Sequence, residues 1–311
     1  MTVAERYAEF AVREAKGSSP TYERLALAVA RHPALLELIA TLPPGKQQPN
    51  LLFAVVRLLG GPVGDPAAFA AFVLGRWPRI EPEMLARATQ TNEPGRCALL
   101  LPVLAALPQP LALLEAGASA GLNLYPDRYR YGYSGHPVGT SGPFLDCALT
   151  GIAPPTRLPE VVWRAGIDLN PLDVTSAADV AWLEALIWPE HTHRRARLRA
   201  AAAVAAADPP YLVRGDLAGD LPALAARAPR DATLVVFHTS VLYQVPPDRR
   251  SAFLALAPRL GRWLSVESPD VVPLPGLPEP PDATLHNVLA LDGTPLAWAK
   301  GHGEAMTWFS G

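Results

Sequence analysis

Residues 111–124 read Leu-Ala-Leu-Leu-Glu-Ala-Gly-Ala-Ser-Ala-Gly-Leu-Asn-Leu. A short apolar run, Leu111 to Leu114, ends at an acid, Glu115. A small-residue turn with Gly117 and Gly121 follows, and then a brief helix-like continuation. Strand, tight turn, helix is the arrangement that holds a nucleotide-like cofactor at the edge of a sheet. Glycine lets the backbone approach a ligand closely and take positive φ at little steric cost. A helix N-terminus offers unpaired N–H groups to an anionic group. The acid at the strand end can accept hydrogen bonds from an amine or a ribose hydroxyl.

The pattern changes on either side of this stretch. Before it, residues 1–105 read as a helical N-terminal domain. Val3, Tyr7 and Phe10 recur at helical spacing, and Tyr22, Leu25, Ala26 and Val29 share one face behind a Ser19-Pro20 start. Asp65-Pro66 opens another helix with Phe69, Phe72 and Val73 on its apolar side. After it, β-rich runs alternate with helical stretches, which predicts an α/β domain over 106–311. Strands are expected near Leu111–Leu114, Val161–Ile167, Tyr211–Val213, Thr233–His238, Trp263–Glu267, Thr284–Ala290 and Leu296–Lys300. Asp292-Gly293 joins the last two as a hairpin. Residues 125–155 are rich in Gly, Tyr and Pro and read as an insertion, a hairpin lying over the cofactor end of the sheet.

The bulk composition narrows the function classes. The chain has 311 residues, half of them hydrophobic, and a net charge of −2. That balance gives no electrostatic footprint for nucleic acid or for a membrane surface. Two cysteines, Cys97 and Cys147, make no disulfide framework and fit a reducing cytoplasm. The first 16 residues mix acids and bases and lack a signal-peptide layout. A small-molecule substrate is the expected partner.

The stretch Glu115-Ala-Gly117-Ala-Ser119-Ala-Gly121-Leu-Asn123 resembles the first motif of class I S-adenosylmethionine-dependent methyltransferases. More closely, the chain resembles a bacterial domain-of-unknown-function family with a methyltransferase-like core. The resemblance is carried by residues 46–52, 91–96, 115–131, 166–171 and 236–240. It implies a Rossmann-like seven-stranded sheet behind the helical domain, with a substrate cleft between the two. It implies S-adenosylmethionine as cofactor and methyl transfer to an unknown small molecule. Glu115, Gly117, Ser119, Gly121 and Asn123 would hold the methionine part, and Asp168 with Asn170 the ribose. Asp216 would lie beside the adenine, and His238 would face the transferred methyl. The Asn/Asp-Pro-Pro-Tyr motif of many amino-group methyltransferases is absent, since His238-Thr239-Ser240 stands in its place.

Each candidate has a chemical and a structural reading. His238, at a strand end, or Glu93 would take a proton if the acceptor carries one. Asn92, Glu93 and Arg96 either line the substrate side or cap a helix start. Arg128, Tyr129 and Tyr131 would bind an anionic or aromatic substrate, or the tyrosines pack on one face of a hairpin. Asp168 caps a turn with Asn170-Pro171 if it is not a ribose ligand. His191 and His193 point to different helix faces, so no metal site is expected, and Arg194, Arg195, Arg197 and Arg199 form a solvated face or a phosphate site. Two alternatives to methyl transfer remain. The first is ligand binding without catalysis on the same fold. The second is a serine hydrolase, because Gly117-Ala-Ser119-Ala-Gly121 matches Gly-x-Ser-x-Gly. Its acid would be Glu267 or Asp270 and its histidine His286 or His302.

Overall fold

The computed structural model describes residues 1–309. The helices in chain order are α1 (Val3–Phe10), α2 (Pro20–Val29), α3 (Pro33–Ala40), α4 (Pro49–Leu58), α5 (Pro66–Ala86), α6 (Cys97–Ala106), α7 (Ala177–Leu186), α8 (Thr192–Ala207), α9 (Leu221–Ala225) and α10 (Pro247–Leu256). The strands are β1 (Leu111–Ala116), β2 (Arg130–Tyr133), β3 (His136–Val138), β4 (Phe144–Thr150), β5 (Val161–Asp168), β6 (Tyr211–Arg214), β7 (Thr233–Thr239), β8 (Arg262–Glu267), β9 (Asn287–Leu291), β10 (Thr294–Ala299) and β11 (Ala305–Trp308). The chain forms two compact units. One comprises Met1–Thr91 and Ser176–Ala196, the other Asn92–Thr175 and the residues from Arg197 onward.

The first unit is helical because its starts are capped and its apolar residues repeat at helical spacing. Thr2 and Glu5 form a capping box at α1, Ser19 Oγ accepts from Tyr22 N at α2, and Asp65 Oδ1 accepts from Ala68 N at α5. Its core is aromatic. The Phe53 ring lies 6.0 Å from Tyr7, 6.1 Å from Phe10, 4.8 Å from Tyr22 and 5.6 Å from Phe69. The pairs with Tyr7, Phe10 and Phe69 are edge-to-face and add to the burial of the rings. Trp188 packs on Phe10 and Tyr22, and its indole N–H donates to Asn50 Oδ1. The Ser19 hydroxyl donates to Glu190 Oε2, which also binds this late segment to α2.

The second unit is a mixed α/β fold around one large sheet. Its strand order is β3-β2-β4-β11-β10-β9-β8-β7-β1-β5-β6. Strands β6, β5, β1, β7 and β8 run parallel. In their own chain order they lie 3-2-1-4-5, the doubly wound order, with the switch point between β1 and β7. On one face Leu114, Ala116, Ala165, Ile167, Val236 and Trp263 pack against Leu221, Leu224 and Phe253 of α9 and α10. Period-two alternation places Leu113 and Glu115 on the other face. Helix α6 is buried from Cys97 to Ala105, as a helix apolar on all sides requires.

All seven expected strands form, but the sheet has eleven strands, not seven. The correction comes from residues 125–155 and from the C-terminal segment. The β2–β3 hairpin and β4 do not lie over the end of the sheet. They extend it edge-on, through the parallel pairing of β4 with β11. The alternation of β4, buried at Leu145, Cys147 and Leu149, is that of a strand with one face packed. The predicted hairpin at Asp292-Gly293 forms, with φ of 52° and 79° at the two residues, as a tight turn between β9 and β10 requires. Beyond Gly121 the chain makes one 3-10 turn, Leu122–Leu124. The β1–β5 crossover therefore carries no helix whose N-terminus could receive an anion.

Candidate functional site at the end of strand β1

Glu115 ends the core of β1 and is 1% exposed. Its Oε1 accepts from Asn123 Nδ2 at 3.1 Å, while Oε2 is buried with no hydrogen-bond partner among the described residues. Burial drives its carboxyl up to about 8, against the opposing pull of the Asn123 hydrogen bond and the Arg96 charge, and Asp168 adds to the rise. Such a carboxyl is mostly neutral at pH 7, and one of its oxygens still lacks a partner. Cys97 Sγ lies 3.8 Å from Asn123 Oδ1 on the far side of the amide.

The turn after β1 is held by its neighbours. Gly117 has φ 73°, and a Cβ there would come within 2.5 Å of the Val241 side chain. The glycine is thus needed for the close approach of a protein side chain. Ser119 has φ 51°, the left-handed backbone of a nucleophile elbow. Its N–H donates to Asp168 Oδ2 at 2.8 Å, and its carbonyl accepts from Leu172 N. Asp168 Oδ1 accepts from Asn170 N at 2.8 Å, so the aspartate makes the anticipated turn and also fastens it to β1. Asn170 Oδ1 accepts from Arg214 Nη2. Leu122 N, just past Gly121, donates to Asn92 Oδ1 at 2.9 Å.

Several other candidates serve internal pairing. Glu93 Oε1 accepts from Gly95 N at 3.0 Å and from Arg197 Nε at 2.8 Å, and Arg197 Nη2 lies 2.7 Å from the same oxygen as an ion pair. Arg96 donates to the carbonyls of Gly301 and Thr239. Burial opposes ionisation of Asp216, but the Arg249 hydrogen bond and the N–H groups of Gly219 and Ala218 outweigh it and hold the carboxyl below its usual range. Tyr129, Tyr131 and Tyr133 are fully buried, and their hydroxyls donate to the carbonyls of Leu122, Pro126 and Ala98. The alternation at 129–133 is that of a packed face whose hydroxyls are bonded internally. Arg128 is half exposed and pairs with Asp127 and Asp208.

His238 is 0% exposed and both its ring nitrogens have partners. The Trp263 indole can only donate, and it lies 3.0 Å from Nε2. The ring proton is then on Nδ1, donated to Glu267 Oε1 at 2.9 Å. Glu267 Oε1 also accepts from Val241 N and Leu242 N. This arrangement leaves neither nitrogen for a substrate proton. It fixes the loop after β7, where Ser240 has φ 51°, so that Val241 rests on Gly117. Trp263 and Arg197 were not anticipated as partners. The spacing of Trp263 from Glu267 along one strand puts them on one face, which is the signal that was available. Among the hydrolase candidates Glu267 is bound to His238, and His286 is exposed with Nδ1 3.0 Å from the Thr284 carbonyl.

The parallel strands, in the order 3-2-1-4-5 with Glu115 at the switch point, define a mixed α/β protein with the doubly wound strand order. Residues 4–308 match the family described as an uncharacterized protein conserved in bacteria (DUF2332), and the chain belongs to that family. No curated protein and no solved structure matches the chain. Among the described residues no group of acids, histidines and cysteines could hold a metal ion, and no helix is long and apolar enough to cross a membrane.

Proposed function

We propose that the protein binds S-adenosylmethionine at the carboxyl ends of β1 and β5 and transfers its methyl group to a small molecule. The observation that carries this reading is the Glu115 carboxyl, buried at the end of the central strand with Oε2 unpaired. A buried carboxyl left one bond short fits a cationic amine, which would draw it into the ionised form. Asp168, at the end of β5 beside the turn after β1, offers a carboxylate of the kind that accepts from ribose hydroxyls. The cofactor supplies an activated methyl group, and the protein's part is to hold donor and acceptor in line. With His238 committed to Trp263 and Glu267, the acceptor must arrive with a lone pair already free, as a carboxylate, a thiolate or an unprotonated amine does.

The same commitment of His238 supports a second reading, ligand binding at this place without catalysis. Titration calorimetry with S-adenosylmethionine and S-adenosylhomocysteine separates the outcomes. Binding of both, weakened at least about tenfold by Glu115→Gln, supports the cofactor site. Absence of binding to the native protein overturns it, and labelling of Ser119 by an acylating probe would then support the hydrolase alternative. Binding without methyl transfer to any carboxylate, thiol or amine acceptor supports the second reading.

A further inference from the structure

The helical unit contains a cavity of about 410 Å³ lined by residues of α4, α7, the loop after α4 and the start of α8. That volume lies in the range of small-molecule sites, about 300–1,000 Å³. Leu58, Val63, Ala181 and Ala185 give it an apolar wall. Arg57 and Arg195 supply two positive charges and Glu184 one negative charge, so the lining carries one net positive charge. The two arginines differ in how they are held. Arg57 Nη1 donates to the Ala185 carbonyl at 2.8 Å and to the Ile187 carbonyl, which fixes its guanidinium against the end of α7. Arg195 is half-buried, and its side chain has no hydrogen bond or ion pair among the described residues. At Gly60, on the loop side, an added Cβ would meet nothing within 4 Å, so that side of the lining is open.

We propose that this cavity binds a small organic carboxylate. A guanidinium fork matches the two oxygens of a carboxylate. The net charge of the lining matches a monoanion better than a phosphate monoester, which carries about −1.5 to −2 at pH 7. The apolar wall accepts a short hydrocarbon body, and the two cations exclude an amine. The site is built from residues of the helical unit alone, so it stands or falls separately from the S-adenosylmethionine site at β1.

The test uses the full-length protein and saturation-transfer NMR with hexanoate, hexylamine and inorganic phosphate. Hexanoate should bind, and Arg195→Gln should weaken it about tenfold or more, the loss expected for one charge-assisted hydrogen bond. Arg195→Lys, which keeps the charge and loses the fork, should fall between. Ala181→Phe, at an exposed position on the wall, should block the cavity without changing S-adenosylmethionine binding. Equal binding of hexylamine, phosphate binding in place of hexanoate, or hexanoate binding unchanged by both Arg195→Gln and Ala181→Phe would each overturn the proposal.

Discussion

Glu115→Gln replaces the buried carboxyl by an uncharged group of nearly the same shape, and its effect on stability depends on pH in a calculable way. Burial lifts the native carboxyl from 4.5 to about 8. Between those values the native state holds a proton that the unfolded chain has released. The group's contribution to stability is therefore full below pH 4.5 and is lost as pH rises towards 8. At pH 7, about 2.5 units above the unfolded value and at ~1.4 kcal/mol per unit, the native protein has lost about 3 kcal/mol through this one side chain. At pH 5 the loss is below about 1 kcal/mol. Glutamine does not titrate. Its amide can still accept from Asn123 Nδ2, but its own N–H₂ takes the place of the unpaired Oε2, which costs about 1–3 kcal/mol at every pH. The pH-independent cost cancels when two pH values are compared. The stability of the variant relative to the native protein should thus rise by roughly 2–3 kcal/mol between pH 5 and pH 7. Urea unfolding followed by tryptophan fluorescence at both pH values measures this difference. Parallel curves, with a gap that does not change with pH, would refute the burial of an under-bonded carboxyl at this place.

Further outcomes follow from the same geometry. Binding of S-adenosylmethionine should release a proton from Glu115, so affinity rises with pH up to about 8 and the calorimetric enthalpy varies with the ionisation heat of the buffer; a binding enthalpy independent of buffer at pH 7 would contradict this. Gly117→Ala puts a Cβ within 2.5 Å of Val241 at a φ of 73°. It should cost about 1–3 kcal/mol, and Val241→Ala in the same chain should restore part of that loss in a double-mutant cycle. His238→Leu deprives the Trp263 indole of its acceptor and Glu267 of a donor, with an expected loss of about 2–4 kcal/mol in urea unfolding. Arg164 forms a two-pronged pair with Asp127, at 2.8 and 2.6 Å. The side chains are 7% and 13% exposed, so Arg164→Met alone should cost about 3–5 kcal/mol and adding Asp127→Leu should recover part of it.

The parallel half of the sheet could be read from the sequence because its strands are continuous apolar runs divided by helical stretches, as in Val161–Asp168 and Thr233–Thr239. Strands β2, β3 and β11, of three or four residues, are too short for period-two counting to separate them from turns. The alternating tyrosines at 129, 131 and 133 were visible, but alternation shows only that one face is packed. It does not say whether the partner is a ligand or, as here, helix α6 and nearby carbonyls. Glu115, Asp168 and His238 were legible as polar residues at strand ends. Their pairing was not, because it depends on sheet register and on loops far apart in the chain. Trp263 reaches His238 across neighbouring strands, and Arg197 reaches Glu93 over a separation of 104 residues.

The helical unit is assembled from two lengths of chain, Met1–Thr91 and Ser176–Ala196. Its aromatic centre has Phe53 and Phe10 on the first length and Trp188 on the second. On a ribosome adding about 5–20 residues per second, the first length therefore waits roughly 5–20 s for its complement. During that interval Phe10, Tyr22 and the cap that Ser19 shares with Glu190 lack their late partners. Nascent chains stalled between residues 91 and 188 should accordingly present a sticky aromatic surface to chaperones, and release past Ala196 should bury it.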